Sequence, residues 1–183
     1  MIPVRTFMNR IRLIAGLSAV LLAGLFLILS WSNSLVVTAV AIRVKDGVKE
    51  HTDHTVLGFG AEHHLPDYRV KLHVSRRFLA IDLGTKLNTS ATNWLTYPVN
   101  DVVPIRRLQE VIIIEDDKVE NDVLDRIQGS DLEMTGKDFQ CRLTTARSFD
   151  AGMSWFFDTP VGKAVAVGIV LGVILLICGR LRP

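Results

Sequence analysis

The apolar positions of the chain form two uncharged runs near its ends, with shorter alternating stretches between them. The first run, residues 13–31, contains no charged residue. A helix rises about 1.5 Å per residue, so a run of this length spans about 28 Å, close to the hydrocarbon thickness of a bilayer. The second run follows Thr159 and Pro160, which are typical of a helix N-cap and first helical position. This pattern predicts transmembrane helices over residues 13–31 and 159–179.

Residues at the membrane interface are predicted on the domain side of both helices. Aromatic side chains favour the boundary between lipid and water, and a lysine one turn inside a helix can extend its ammonium group to the headgroups. The residues assigned to this boundary are Trp31, Trp155, Phe156, Phe157 and Lys163.

The stretches between the two apolar runs are typical of β-strands. Residues 68–74 alternate strictly between apolar and polar side chains, which predicts a half-buried strand. Residues 35–45 are rich in β-branched side chains, and the Asp46-Gly47 pair after them predicts a hairpin turn. Further strands are predicted over residues 78–83, 111–114 and 139–145.

One amphipathic helix is predicted within this β-rich region. Asp117 and Glu120 have the spacing of a capping-box variant, and Gly129 is suited to end a helix. The apolar residues of its predicted buried face are Val119, Val123, Leu124 and Ile127. A shorter helical turn is predicted over residues 105–110, and the helix is expected to pack on a sheet.

The predicted fold class is a membrane protein with two transmembrane helices that flank a small α+β, mostly β, extracytoplasmic domain. The predicted boundaries are a cytoplasmic tail (1–12), the first helix (13–31), the domain (32–158), the second helix (159–179) and a second tail (180–183).

The charge distribution predicts the orientation of these helices. All 19 acidic residues lie between Asp46 and Asp158, whereas the predicted tails carry arginine and no acidic residue. Because arginine-rich flanks stay on the cytoplasmic side, both termini are predicted to be cytoplasmic and the domain periplasmic or lumenal. The chain between the tails is net acidic, so the basic pI does not indicate a nucleic-acid partner.

Two interpretations of the first apolar run remain open. Ser30 and Ser32 are small residues at spacings that a signal peptidase accepts, after a basic segment. The run is longer than the apolar part of a typical signal peptide, which favours an uncleaved helix. With cleavage the protein would keep its second helix and an external domain.

Small residues recur at four-residue spacing in both apolar runs, which aligns them on one helix face. Such faces let helix backbones approach closely in lipid, so these positions are predicted to pack helix against helix, within the chain or with a partner. The positions are Ala15, Ala19, Ala23, Ala164, Gly168 and Gly172.

A histidine-rich segment is the main candidate for ligand chemistry. It holds the predicted metal ligands His51, His54, His63 and His64, with acidic residues between them. If the chain turns back at residues 57–60, His54 would lie near His63, and neutral imidazole suits zinc or copper. The alternative is a solvated loop or, through histidine protonation, a pH sensor.

Other motifs are set aside on physical grounds. Residues 81–85 resemble the first phosphate motif of the actin and Hsp70-type ATPases, but the domain is too short for the two lobes of that fold. The acidic residues from Glu115 to Asp125 lack the spacing of a calcium loop and are interpreted as a solvated helix face. Cys141 and Cys178 lie on opposite sides of the predicted membrane and cannot form a disulfide.

Three hypotheses for function follow from these features. The first is a non-enzymatic accessory, stabilising or assembly subunit of a larger membrane complex, because two anchors enclose a compact domain and carry small-residue faces. The second is a membrane-anchored sensor or metal-binding module that uses residues 50–64. The third is a membrane-tethered enzyme of unknown type. The predicted partners are the lipid bilayer and other membrane protein subunits; a divalent metal is the one cofactor considered, under the second hypothesis.

Overall fold

The computed structural model describes residues 4–50, 65–75, 77–116 and 121–180. The chain divides into two units. The helical unit combines residues 1–35 with residues 147–183, and the β unit comprises residues 36–146. The predicted domain (32–158) is therefore longer than the β unit, because the segment after residue 147 is helical and belongs with the two terminal helices.

The described part of the helical unit contains three helices: α1 (Val4–Ser32), α2 (Phe149–Asp158) and α3 (Pro160–Arg180). The predicted start of α3 is confirmed, since the Thr159 hydroxyl accepts a hydrogen bond from the Gly162 N–H at 3.2 Å. Segments Leu13–Ser32 and Pro160–Ile177 are long and apolar enough to cross a membrane, with mean hydropathies of 2.5 and 2.4.

The short helix α2 packs against the end of α1. Gly152 permits this approach, because a Cβ at that position would collide with the carbonyl oxygen of Ser30. The ring of Phe156 meets the ring of Phe26 edge to face, with centroids 4.4 Å apart. The sequence did not predict α2, whose residues were assigned to the domain.

Within the described residues of the β unit, eight strands form two antiparallel sheets. The first sheet has the order β4-β1-β8-β7 and the second the order β3-β2-β5-β6. The strands are β1 (Leu35–Val44), β2 (Tyr68–Val74), β3 (Ile81–Lys86), β4 (Leu95–Pro104), β5 (Leu108–Asp116), β6 (Asn121–Gln128), β7 (Glu133–Thr135) and β8 (Phe139–Arg147).

The core of the β unit lies between these two sheets. Val40 and Ile42 of β1 and Phe139 of β8 are fully buried from one side, and Tyr68 and Ile113 are buried from the other. The rings of Tyr68 and Phe139 pack edge to face across the core, with centroids 5.8 Å apart. The unit is thus a two-layer β-sandwich, and the prediction of a mostly β domain is confirmed.

Most predicted strands are confirmed at or near their predicted bounds. Strand β2 has the predicted limits, and its four apolar side chains are buried. Residues 111–114 and 139–145 fall within β5 and β8. Strand β3 begins at Ile81 rather than Phe78 and continues through Gly84, which has a φ of +92°. The helical turn predicted over 105–110 is a 3-10 turn at Ile105–Arg107.

The predicted amphipathic helix is wrong over the residues that the structure describes. Residues 121–128 form β6, which pairs with β5 along its length. Asp125 and Ile127 are buried whereas Arg126 and Gln128 are exposed, so burial alternates over residues 125–128 as in a strand. The first part of the predicted helix, residues 117–120, lies outside the described residues.

The Asp46-Gly47 turn forms, but it does not join a hairpin. Gly47 adopts a φ of +83°, as the turn requires. The neighbours of β1 are β4 and β8, both distant in sequence. The local turn was therefore predicted correctly and the pairing was not.

Candidate interaction surfaces

The predicted metal ligands His51, His54, His63 and His64 lie outside the described residues. Within the described residues, no group of three or more histidine, cysteine, aspartate and glutamate side chains could hold a metal ion. The metal site therefore stays a prediction from sequence.

The residues on either side of the histidine-rich segment both contact the loop that follows β3. The Glu50 carboxylate accepts hydrogen bonds from the hydroxyls of Tyr68 (3.0 Å) and Ser90 (2.7 Å). The N–H of Leu65 donates to the Asn88 side chain at 2.9 Å. Burial, and next the Glu50 charge, raise the pKa of Tyr68 well above its usual range, so this phenol stays neutral.

The residues that resemble an ATPase motif form an ion-pair network on the second sheet. Arg69 Nε lies 2.8 Å from Asp82 Oδ2, and Arg69 Nη1 lies 3.2 Å from Asp116 Oδ1. Thr85 donates from its hydroxyl to Asp116 at 2.5 Å, and the Gly84 N–H donates to Asp82 at 2.9 Å. The hydrogen-bonded Arg69 guanidinium lowers the pKa of Asp82. These side chains satisfy one another, which accounts for them structurally without a phosphate.

Trp94 lies between two arginines on the first sheet. The guanidinium carbons of Arg43 and Arg142 are 5.1 Å and 4.5 Å from the ring centroid. Both arginines have polar partners, Gln140 at 2.8 Å for Arg43 and Glu133 at 2.9 Å for Arg142. The cluster therefore holds β1, β7 and β8 together by cation–π contacts and hydrogen bonds.

An exposed apolar pair, Phe78 and Leu79, lies in the connection between β2 and β3. Phe78 is fully exposed and Leu79 is 83% exposed. The adjacent Arg77 forms a 3.0 Å ion pair with Asp101 of β4, which fixes one side of the connection. Large apolar side chains presented together in this way are typical of a contact surface. The sequence assigned Phe78 to a half-buried strand and so did not predict this surface.

The predicted small-residue positions are in part brought together within the helical unit. Ala15 and Ala19 are buried, and a Cβ at Gly172 would lie 3.0 Å from the Ala19 Cβ. Gly168 faces the side chain of Leu22. Ala164 is exposed and Ala23 partly buried, so the contact follows Gly168 and Gly172 rather than every small residue.

The residues predicted at the membrane interface differ in exposure. Trp31, Phe157 and Lys163 are exposed and Trp155 is partly buried. Phe156 is buried and packs on Phe26 and Trp155, so its ring stabilises the helix packing instead of facing outward.

An apolar groove of about 690 Å³ runs beside the end of α1. Leu27, Ile28, Trp31 and Phe149 contribute its apolar lining, and Arg147 lies at one side. The Arg147 guanidinium stacks on the Trp31 ring at 4.3 Å, and its Nη1 donates to the Trp31 carbonyl at 2.5 Å and to Ser34 Oγ at 3.3 Å. The groove combines residues that are far apart in the chain, so the sequence pattern did not predict it.

Comparison with known proteins gives no significant match to a family model, a curated protein or a solved structure.

Proposed function

We propose that this chain is a two-span integral membrane protein that acts as a non-enzymatic accessory or assembly subunit of a larger membrane complex. The observation that carries the proposal is the exposure of both long apolar helices. A bilayer would cover their side chains, and the exposed apolar loop of the β unit would contact a partner.

The exposure of α1 and α3 supports spanning helices over the core helices of a soluble protein. In each candidate span, 17% of the residues in the most apolar window are buried. Large apolar side chains such as Val20 and Leu21 remain about 70% exposed. A core helix of a soluble protein would be mostly buried, whereas a spanning helix presents apolar side chains to lipid.

The contact of α1 with α2 and α3 supports an uncleaved first helix. Gly172 of α3 approaches Ala15 and Ala19, and Phe26 packs on Phe156 of α2. Removal of α1 would expose the small-residue face of α3 and the ring of Phe156. We therefore favour a mature chain that retains both spans.

The orientation follows from the arginine bias of the tails. Translocation of arginine is unfavourable, so we place both termini in the cytoplasm and the acidic β unit outside.

Alkaline carbonate extraction followed by cysteine labelling tests the membrane proposal. The full-length chain should remain with the membrane pellet. With Cys178→Ala as background, a membrane-impermeant maleimide should label Asn93→Cys in intact cells. The matched variant Pro183→Cys should be labelled only after permeabilisation. Release by carbonate contradicts the membrane proposal, and the reverse labelling pattern contradicts the orientation.

Phe78 and Leu79 are the residues that we assign to partner contact. Their exposure means that they contribute little to the packing of the β unit, so an alternative role is needed for a large apolar pair on the surface. Aromatic side chains are enriched in the buried centres of protein interfaces, where a fully desolvated ring contributes strongly.

Native mass in mild detergent tests the subunit proposal. The chain has a mass of 20.4 kDa, and we expect it to migrate in a larger assembly. Phe78→Ser combined with Leu79→Ser should release the chain from that assembly without unfolding it. Leu87→Ser, at another exposed loop leucine, is the matched control and should leave the assembly intact. A lone 20 kDa species from the wild-type chain would rule out the proposal.

A further inference from the structure

The groove beside α1 is short and lies at the end of the candidate span. Its lining on α1 extends from Leu27 to beyond Trp31. Leu27 and Trp31 are separated by one helical turn, about 6 Å along the axis. A partner helix would need a longer apolar face than this, whereas the upper part of an acyl chain would fit.

Arg147 places a positive charge at the side of this apolar groove. Both of its hydrogen bonds to protein use Nη1, so within the described chain Nε and Nη2 donate to no protein acceptor. The face of the Arg147 guanidinium is stacked on the Trp31 ring, so the edge that carries Nε and Nη2 is available to bind an oxyanion. An arginine fork matches the paired oxygens of a phosphodiester.

The position of Trp31 relates the groove to the depth of a bilayer. Tryptophan at the end of a spanning helix favours the headgroup level. Leu27 and Ile28, one turn inside, then lie at acyl-chain level, and Arg147 lies beside Trp31 at phosphate level. The groove thus has an apolar inner part and a cationic outer part, which is the polarity of a phospholipid.

We propose that this groove binds one anionic phospholipid, with its phosphate on Arg147 and the upper part of an acyl chain against Leu27, Ile28 and Phe149. An anionic lipid is favoured over a zwitterionic one because a headgroup amine would bring a second positive charge close to Arg147. This inference rests on the proposed membrane location of the chain.

Native mass spectrometry of the full-length protein in maltoside micelles tests the inference. Phosphatidylglycerol added at low molar excess should bind as one retained molecule, and phosphatidylcholine should bind at least several-fold less. Arg147→Gln should reduce the bound fraction of phosphatidylglycerol about tenfold, since it removes a charge-assisted hydrogen bond.

Two further variants make the experiment specific. Arg142→Gln is the matched control, because Arg142 is also an exposed arginine of β8 stacked on a tryptophan, and this variant should bind lipid normally. Ile28→Trp should fill the groove and reduce binding while Arg147 remains. Ile28 is exposed, so this substitution does not disturb a packed core.

Several outcomes would overturn the inference. Equal binding by Arg147→Gln and Arg142→Gln excludes Arg147 as the phosphate ligand, and equal binding of phosphatidylcholine excludes selection for an anionic lipid. A photo-crosslinker at position 28 that captures a polypeptide instead of lipid would identify a partner helix as the occupant. Carbonate release of the wild-type chain would contradict the membrane proposal itself, whereas membrane retention without lipid binding contradicts only the groove.

Discussion

The carboxylate of Asp125 on β6 organises the turn before β8. It is buried and accepts hydrogen bonds from the backbone N–H groups of Arg126 (2.8 Å), Lys137 (3.2 Å), Asp138 (2.9 Å) and Phe139 (3.0 Å). Gly136 lies directly against this carboxylate, where a Cβ would collide with it. The residue that appeared to belong to a solvated acidic helix face is thus a structural acceptor.

Removal of this acceptor should destabilise the β unit. We expect Asp125→Ala to lower the free energy of unfolding by about 2–3 kcal/mol, because it leaves buried N–H groups without an acceptor. Urea unfolding followed by circular dichroism measures the change. Asp122→Ala, at an exposed position on the same strand, should change stability by less than about 0.5 kcal/mol. Equal effects of both substitutions would contradict the role of Asp125.

Cys141 is expected to be unreactive in the folded protein. Burial raises the pKa of its thiol to about 12, so the thiolate that reacts with alkylating reagents is scarce at pH 8. In a Cys178→Ala background, iodoacetamide should modify Cys141 only after urea unfolds the β unit. Because the pKa is raised, modification of the folded chain should increase only as the pH approaches 12. Rapid modification at pH 8 without urea would be inconsistent with this burial.

At the scale of elements, β6 shows where sequence patterns become ambiguous. Apolar residues at 123, 124 and 127 fit one helix face, but over so short a segment they fit a strand as well. Pairing with β5 decides between these structures, and that pairing brings together residues that a local pattern does not connect. The acidic residues before it resembled a helix start for the same local reason.

Strand β4, which contains Pro98 and ends at Pro104, was not predicted from the sequence. Proline lacks the N–H that a central strand needs and is found mainly in edge strands. β4 lies at the edge of its sheet, so its position agrees with this preference.

The strands with strict alternation and the two apolar helices were predictable from sequence, because burial on one face fixes a local period. The candidate interaction surfaces were less predictable from the sequence. The groove brings together Trp31 and Arg147, which are far apart in the chain. Residues 78–83 were predicted to form a half-buried strand, although Phe78 and Leu79 are exposed.

The contact between α1 and α3 should depend on the small size of Gly172. We expect Gly172→Leu to destabilise the full-length protein in detergent by about 1–3 kcal/mol, because the added side chain would overlap Ala19. Thermal unfolding monitored by circular dichroism measures this loss. The neighbouring Val173→Leu adds volume at an exposed position and should have little effect. If both variants melt alike, close packing at Gly172 is not required.

At the scale of the whole molecule, the β unit has its own core. Its buried cluster is drawn from both sheets and lies within residues 37–143. Its first and last strands are neighbours in one sheet, so the chain enters and leaves the unit on adjacent strands. A domain that has its own core, and whose ends lie close together, is suited to insertion between other segments of a chain.

Residues 35–147 expressed alone should therefore fold as a soluble domain. We expect a single cooperative urea transition and a β-type circular dichroism spectrum, because the excised segment retains the buried cluster between its sheets. Asp125→Ala in the same fragment should shift that transition to lower urea. A fragment without a cooperative transition, when the full-length protein is folded, would show that the helices are needed for the domain to fold.

The adjacency of β1 and β8 also determines how the molecule responds to mechanical load. These strands are antiparallel, as the hydrogen bonds from the Lys45 N–H to the Asp138 carbonyl (2.9 Å) and from the Thr38 hydroxyl to the Thr144 carbonyl (3.2 Å) indicate. A force that pulls the two terminal segments apart acts on the ends of both strands at the same edge of the pair. Within the β unit, it would break these hydrogen bonds one after another, as in the opening of a zipper, beginning at the start of β1 and the end of β8.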